Sequence, residues 1–129
     1  MFVFPGIGLG TILCKAIKVT QNMIYASGQA VPTMIIDAEK EMGLIYPEIT
    51  RIRAVSARVA LHVIRAAQQD NVDRMHSLRD MNDEDLEEWI KEKMYDPHKA
   101  VEAIEDELDS LAKDLAHTRQ LSRENTMKL

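Results

Sequence analysis

The sequence predicts a mainly α-helical fold that opens with one short β-strand and surrounds a single small core. Helices are predicted because apolar residues recur at intervals of three and four in several segments whose other positions are polar. The strand is predicted from Phe2–Phe4, a run of β-favouring residues that Pro5 and Gly6 interrupt. A length of 129 residues suffices for one small domain.

Two helices should follow the strand. Residues 7–16 fit a helix, and Thr20 has the residue type of an N-cap for a second helix over residues 21–30. Pro32 should end or kink that second helix, because proline lacks the amide hydrogen that helical bonding requires. Residues 31–36 fit either a kinked helix or a short strand.

The best helix is predicted from about Glu48 to Gln69, after an extended connector at Ile45-Tyr46-Pro47. One face of this helix carries aliphatic residues at spacings of 3, 4, 4 and 3, namely Ile52, Val55, Val59, Val63 and Ala66. This face is widened by Ala60, Ile64 and Ala67. The helix should therefore be well buried.

Two capped helices are predicted in the second half. Asn82 and Asp85 have the spacing of a capping box, ahead of a short amphipathic helix with Leu86, Trp89, Ile90 and Met94. Asp96-Pro97 then provides an N-cap and a first helical position. The helix that follows has a heptad seam of about two heptads, formed by Val101, Ile104, Leu108, Leu111 and Leu115. One functional hypothesis is therefore a small non-enzymatic interaction protein. Its seam would pair with the seam of a second copy or with a helix of a partner.

Composition excludes several classes of protein. The single cysteine, Cys14, allows neither an internal disulfide nor a cysteine-rich zinc module. A net charge of −5 argues against nucleic-acid binding, which depends on clusters of Lys and Arg. No apolar run reaches the roughly 18 residues of a membrane-spanning helix. The four histidines show no metal-ligating spacing, so no metal site is predicted. No basic region precedes Lys15, so no targeting signal is predicted.

Charge is divided unevenly along the chain. Residues 1–69 carry a net charge of +3 and residues 70–129 a net charge of −8, so the second half is predicted to form solvated helices. Arg51, Arg58 and Arg65 recur every seven residues along the long helix. They fit either anion binding or pairing with the acidic second half, and pairing is favoured because the partners lie in the same chain.

A glycine-rich segment, Gly6-Ile7-Gly8-Leu9-Gly10, follows the predicted strand. Such a turn between a strand and a helix can bring backbone N–H groups close to a phosphate. The dinucleotide fingerprint requires its third glycine where this chain has Thr11, which argues against a self-contained nucleotide-binding unit and favours close helix–strand packing. Cys14 is expected to be a buried small apolar residue, and His62 to border the apolar face of the long helix.

Four motifs of the first half occur in a recognisable order. They are Phe2-Val3-Phe4-Pro5-Gly6-Ile7-Gly8-Leu9-Gly10, Ile12-Leu13-Cys14-Lys15, Thr20 through Met23, and Ile45-Tyr46-Pro47 leading into Ile52-Arg53-Ala54-Val55-Ser56. In this order and spacing, residues 1–69 resemble the carboxy-terminal portion of malic enzymes and of the similar malolactic enzymes. With less specificity, Val72-Asp73-Arg74 and Trp89 to Pro97 look similar to the tails of fungal members.

The resemblance implies that residues 1–69 are the C-terminal end of an α/β Rossmann-like NAD-binding domain and residues 70–129 an acidic helical tail. Malic enzymes oxidise L-malate with NAD or NADP and decarboxylate the product to pyruvate, using Mg²⁺ or Mn²⁺. Their catalytic tyrosine and lysine, their metal ligands and their nucleotide glycine motif lie upstream of the resembling segment. The resemblance therefore assigns no catalytic or metal-binding residue here, and it places Pro5, Gly6 and Gly8 near the cofactor site.

The resulting hypothesis is an isolated C-terminal fragment of an NAD-type malic enzyme that is inert alone, because the groups that position malate, metal and nicotinamide are missing. For the parent enzyme it implies malate and pyruvate as substrate and product, NAD or NADP as cofactor, and neither nucleic acid nor membrane as partner. It is compatible with a homo-oligomer and, by fungal resemblance, with a mitochondrial location. The choice between NAD and NADP and between malic and malolactic chemistry stays open.

Overall fold

Six α-helices form most of the chain in the computed structural model, which describes residues 1–128. Their bounds are Phe4–Leu13 (α1), Gln21–Ala30 (α2), Asp37–Glu41 (α3), Ile52–Gln69 (α4), Asp83–Lys93 (α5) and Pro97–Met127 (α6). Short 3₁₀ helices lie between them at Val31–Met34, Ile49–Arg51 and His76–Asp80. The packing divides the chain into one unit of residues 1–94 and a second from Tyr95 onward.

The predicted N-terminal strand over Phe2–Phe4 is not formed. Within residues 1–128 there is no strand, so a strand here would have no neighbour to accept its ladder hydrogen bonds. Phe4 is instead the first residue of α1, with Pro5 in the opening turn, where a missing amide hydrogen costs nothing. The mainly helical prediction is confirmed, and α1 begins three residues earlier than the predicted residue 7.

The helix predicted over residues 21–30 is confirmed as α2. The Thr20 hydroxyl accepts a hydrogen bond from the backbone N–H of Met23 at 3.2 Å, so it caps the helix as expected. Of the two alternatives for residues 31–36, the helical one is nearer to the structure, since Val31–Met34 form a 3₁₀ helix that continues from α2. Pro32 lies in the first turn of this 3₁₀ helix. The chain therefore passes from α-helical to 3₁₀ geometry at this proline without a break.

Helix α4 is the centre of the first unit, with α1, α2 and α5 packed around it. Its predicted apolar face is buried at Val55, Val59, Val63 and Ala66, together with the widening residues Ala60, Ile64 and Ala67. The 3₁₀ turn Ile49–Arg51 leads directly into α4, so the helical path covers nearly all of the predicted range from Glu48 to Gln69.

Helix α5 closes the core from the acidic half of the chain. Its N-cap is Asn82, whose side chain accepts from the backbone N–H of Asp85 at 2.8 Å, as predicted. Leu86 and Ile90 are both fully buried. The predicted amphipathic helix is therefore confirmed, and the expectation of solvated helices after residue 69 is wrong only for the face of α5 that packs on α4. The sequence-based division at residue 69 follows family resemblance rather than packing and stays a prediction.

The segment after α4 turns back to fasten α1. Asn71 has a φ of 53°, a left-handed conformation that asparagine tolerates better than most residues. The turn lets Val72 accept a backbone hydrogen bond from Ile17 at 2.9 Å, and lets the carbonyl of Cys14 accept from Arg74 at 3.0 Å. The C-terminal end of α1 is thereby held against the end of α4.

Helix α6 forms most of the second unit. It begins as predicted at Asp96-Pro97, where the Asp96 carboxylate accepts from the backbone N–H of His98 at 3.0 Å. Its 31 residues give a length of about 46 Å at the usual helical rise. None of its described residues is buried.

Candidate functional site

The three residues predicted to lie near a cofactor share the first half of α1 but differ in their surroundings. Gly6 is buried against α4, whereas Pro5 and Gly8 are exposed. A Cβ added to Gly8 would meet nothing within 4 Å. The segment therefore has an inner side that binds α4 and an outer side that α4 leaves open.

Gly6 and Gly10 form the inner side. A Cβ on Gly6 would lie 2.4 Å from both Cβ and Cγ1 of Val59, and a Cβ on Gly10 would lie 2.9 Å from the carbonyl oxygen of Ala60. Real side chains do not approach this closely, so only glycine allows α1 to lie at its observed distance from α4. The predicted role in close packing is confirmed for Gly6 and Gly10, with α4 in place of a strand as the partner, and it is wrong for the exposed Gly8.

The helical conformation limits what this segment can do with a phosphate. The N–H of Ile7 already donates to the carbonyl of Val3 at 3.0 Å, and Pro5 has no N–H. The glycines do not form an open loop, and the phosphate cradle of a dinucleotide site therefore does not fit residues 5–10 in this chain. A position of Pro5, Gly6 and Gly8 beside a cofactor held by other residues stays a prediction.

The outer side of α1 is apolar and exposed. Phe4 and Ile12, two turns apart, are 82% and 74% exposed. A cavity of about 530 Å³ opens beside the same end of the chain, and its lining consists of Met1, Phe2, Val3, Gly28, Val31, Pro32, Ile45 and Tyr46. Exposed apolar surface of this kind marks a site of contact with protein or ligand.

The three arginines spaced by seven residues are engaged in ion pairs. Arg58 lies 2.8 Å from a carboxylate oxygen of Glu87, and Arg65 lies 2.8 Å from one of Asp83, so both pair with the acidic half as predicted. Arg65 also donates to the backbone carbonyls of Leu78 and Met81. These two arginines fasten α5 and the preceding turn to α4.

Arg51 departs from that prediction. Its guanidinium donates to both carboxylate oxygens of Glu39, each at 3.1 Å, and Glu39 lies in the first half of the chain. Because Arg51 stands at the start of α4, it faces the loop that precedes this helix instead of α5.

Glu39 is a buried carboxylate that sequence reasoning missed. Besides Arg51, it accepts hydrogen bonds from the backbone N–H groups of Glu48 at 2.8 Å and Ile36 at 2.9 Å. These hydrogen bonds stabilise the charged carboxylate and so lower the pKa of Glu39 below its usual value. The backbone N–H groups have the largest effect, and Arg51 adds to it. The available signal was an acidic residue in the first turn of a short helix, but two of its three partners, Glu48 and Arg51, lie 9 and 12 residues away.

Cys14 is buried as predicted, at the junction of α1 with the segment after α4. Burial raises the pKa of its thiol, since the thiolate would lose hydration in these surroundings. Its Sγ lies 3.7 Å from the carbonyl oxygen of Thr11. A protonated, enclosed thiol is a poor nucleophile, and Cys14 therefore packs as a small apolar residue.

A polar groove of about 280 Å³ lies between α2 and α4. Its lining includes Asn22, Gln29, His62, Arg65, Gln69 and Asp83. His62 is partly buried at the border of the apolar face, as predicted. Its pKa is lowered first by this burial and second by the positive charge of nearby Arg58. The spacing of His62, Arg65 and Gln69 by three and four residues was the signal for this groove.

Neither a metal centre nor a membrane span is present in the described part of the chain. No group of three or more His, Cys, Asp or Glu side chains within residues 1–128 could hold a metal ion. Among the same residues, no helix is both long enough and apolar enough to cross a membrane.

Comparison with known proteins identifies the family. Residues 1–68 match the family model described as the malic enzyme, NAD binding domain. The matched stretch ends one residue before the end of α4, so it contains α1 to α4 and the loop held by Glu39.

Individual relatives extend the match along the chain. NAD-dependent malic enzyme 2, mitochondrial, of Arabidopsis thaliana is 37% identical over 103 residues, covering 75% of this chain and 17% of its own length. NAD-dependent malic enzyme, mitochondrial, of Solanum tuberosum is 32% identical over 103 residues, with coverages of 75% and 16%. NADP-dependent malic enzyme of Dictyostelium discoideum is 31% identical over 97 residues, with coverages of 75% and 17%.

The chain spans about one sixth of the length of the curated relatives it matches. The residues matched by the family model form α1 to α4 of the first unit, and they include Gly6 and Gly10, which pack closely against α4. Since the family model covers more than half of its residues, the chain belongs to the malic enzyme family.

Proposed function

We propose that this chain supplies the C-terminal part of the NAD-binding domain of an NAD-dependent malic enzyme. The activity of the complete enzyme would be oxidative decarboxylation of L-malate to pyruvate and CO₂, with reduction of NAD to NADH. The observation that carries the proposal is the family match over residues 1–68, which coincides with α1 to α4. This match favours the proposal over a small non-enzymatic interaction protein.

The role proposed for residues 1–94 is support of the cofactor domain rather than chemistry. Within residues 1–128 no cluster of side chains fits Mg²⁺ or Mn²⁺, so the metal would be held by other parts of a malic enzyme. The helical glycine segment likewise lacks a phosphate cradle. We therefore expect the chain to have no malic enzyme activity by itself.

The surface through which the unit would join the rest of the domain is the apolar side of α1. Phe4 and Ile12 are exposed on it, and a cavity whose lining includes Phe2 and Tyr46 opens beside the N-terminal end of α1. Burial of such residues stabilises an interface by about 25 cal/mol per Å² of apolar area removed from water. Contact here would hold α1 against the remainder of the NAD-binding domain.

Cofactor and compartment follow from the relatives. Several of them are named as NAD-dependent and mitochondrial, which supports NAD as cofactor and a mitochondrial location for this chain. Others are named as NADP-dependent, and one of these as chloroplastic. A cofactor preference for NAD is thus part of the proposal.

A direct assay tests the expected inactivity. The purified chain is mixed with L-malate, NAD and Mn²⁺, and formation of NADH is followed by absorbance. The expected result is no turnover above the rate without protein. Malate-dependent NADH formation by the chain alone would contradict the supporting role.

Complementation tests the positive half of the proposal. The Arabidopsis relative, shortened by the segment that matches this chain, is co-expressed with the chain, and activity is compared with that of each part alone. Restored malate oxidation is expected, and Ile12→Asp should abolish it by placing a charge on the apolar side of α1. Gln21→Asp, an exposed change on α2, is the matched control and should leave restoration intact. A soluble complex without activity would refute the proposal.

A further inference from the structure

The apolar seam of α6 is fully formed and uncovered. We define the α6 seam as the five residues that share one side of the helix, which are between 53% and 62% exposed: Val101, Ile104, Leu108, Leu111 and Leu115. Their spacings keep them within one narrow stripe along roughly 21 Å of helix. A continuous row of large aliphatic side chains in water marks an interaction surface.

We propose that the α6 seam binds the α6 seam of a second copy of this chain, with the two helices parallel and in register. The seam lies outside the region matched by the family model, which ends at residue 68. The resulting dimer is a short two-stranded coiled coil. Between residues 97 and 118 only the seam positions carry large aliphatic side chains, and Glu105 and Glu107 flank them, so the apolar stripe has the width that one partner helix covers.

Register favours the parallel arrangement. In a parallel pair every seam residue meets its own counterpart, which gives five apolar layers. An antiparallel pair sets the positions of Val101, Leu108 and Leu115 against those of Ile104 and Leu111. In one such register Leu115 faces Pro97 of the second copy, and in the next Val101 faces Thr118 of the second copy. Each antiparallel register therefore loses an apolar contact.

Charge favours the same arrangement. In the parallel pair, Asp114 lies beside Arg119 of the second copy, and the symmetry of the dimer repeats this contact. The other flanking positions pair Glu107 with Ala112 and Ala100 with Glu105, so no like charges meet. The parallel dimer thus has two attractive pairs and no repulsive one at its edges.

The antiparallel pair brings acidic residues together. One register places Glu105 against Glu105 of the second copy and Glu107 against Glu107 of the second copy. The other register places Glu107 against Asp114 of the second copy. Like charges at these flanking positions oppose association. The sequence of α6 therefore selects orientation as well as pairing.

Sedimentation of the full chain tests the association. The wild type should approach twice the monomer mass as its concentration rises, and Leu108→Asp should remain monomeric because it places a charge in the central layer. Ala103→Asp introduces the same residue on an exposed position away from the seam and should still dimerise. A wild type that stays monomeric at all concentrations, or a Leu108→Asp variant that dimerises equally well, would overturn the proposal.

Charge exchange tests the orientation without disturbing the core. Asp114→Arg sets two arginines side by side in the parallel dimer and should raise its dissociation constant by roughly tenfold. Adding Arg119→Asp restores opposite charges and should return the dissociation constant to near the wild-type value. In an antiparallel dimer, Asp114→Arg would face either Glu107 or Ala100 of the second copy, so the dissociation constant would fall or stay unchanged, and either result would overturn the parallel assignment.

Discussion

The closeness of α1 and α4 at Gly6 gives the sharpest test of the fold. Replacing Gly6 by alanine adds one methyl group, whose carbon would lie 2.4 Å from two carbons of Val59 and 3.0 Å from the carbonyl oxygen of Ser56. Carbon atoms normally approach to about 3.5–4.0 Å. The helices would therefore have to separate by more than about 1 Å, and each atom in contact across the interface would lose packing.

The expected magnitude combines two opposing effects. Alanine in place of glycine inside a helix stabilises by roughly 0.5–1 kcal/mol, because less backbone entropy is lost on folding. Overpacking in a core costs about 1–3 kcal/mol. The overlap at Gly6 is large and involves the backbone of α4, which favours the upper end of that range. Gly6→Ala should therefore lower the free energy of unfolding by about 2 kcal/mol.

Two other helical glycines provide matched controls. A Cβ on Gly8 in α1 or on Gly28 in α2 would meet nothing within 4 Å. Gly8→Ala and Gly28→Ala should each raise the free energy of unfolding by roughly 0.5–1 kcal/mol. Urea unfolding of the full chain, followed by circular dichroism, measures all three variants, with the shift in midpoint compared at constant slope. If Gly6→Ala proves as stable as Gly8→Ala, α1 does not lie on α4 as described.

Further predictions concern the buried groups of the first unit. Backbone hydrogen bonds and Arg51 lower the pKa of Glu39, and hydrogen bonds from Arg79, one of them 3.0 Å long, lower the pKa of the buried Asp73. The stability that these two carboxylates contribute should therefore be present at neutral pH and be lost as pH falls through the lowered pKa values, and Glu39→Gln should flatten the acid part of a stability–pH curve. Leu86→Ala should cost about 2–5 kcal/mol in urea unfolding, since the side chain is fully buried, whereas the exposed Ile12→Ala should change stability by less than about 0.5 kcal/mol. Cys14 should react with iodoacetamide far more slowly in the native chain than in urea, and equal rates would contradict its burial.

Helix starts could be predicted from the sequence because their signals are local. Thr20, Asn82 and Asp96 each precede a helix, and each side chain accepts a hydrogen bond from a backbone N–H two or three residues later. Such caps depend on a few neighbouring residues and little on tertiary structure. The buried face of α4 was predictable for a related reason, since helical periodicity places its aliphatic residues on one side.

The predictions that were wrong concern a local conformation and a side-chain partner that depend on contacts with residues distant in the sequence. Phe2–Phe4 has the composition of a strand, but β-propensity depends on pairing with another strand, and the described residues offer none. Pro5 was interpreted as a strand breaker, although proline also suits the first turn of a helix. The partner of Arg51 depended on the path of the loop around Glu39, which periodicity does not specify.

The family match and the packing assign different limits to the functional unit. The matched region ends at residue 68, yet the core of α4 is completed by Leu86 and Ile90 of α5. Arg58 and Arg65, within the matched region, form ion pairs with Glu87 and Asp83 beyond it. If the unit ended at residue 69, the side of α4 that α5 covers would be exposed to water. The packed unit is therefore residues 1–94, and the α6 seam lies in the other unit.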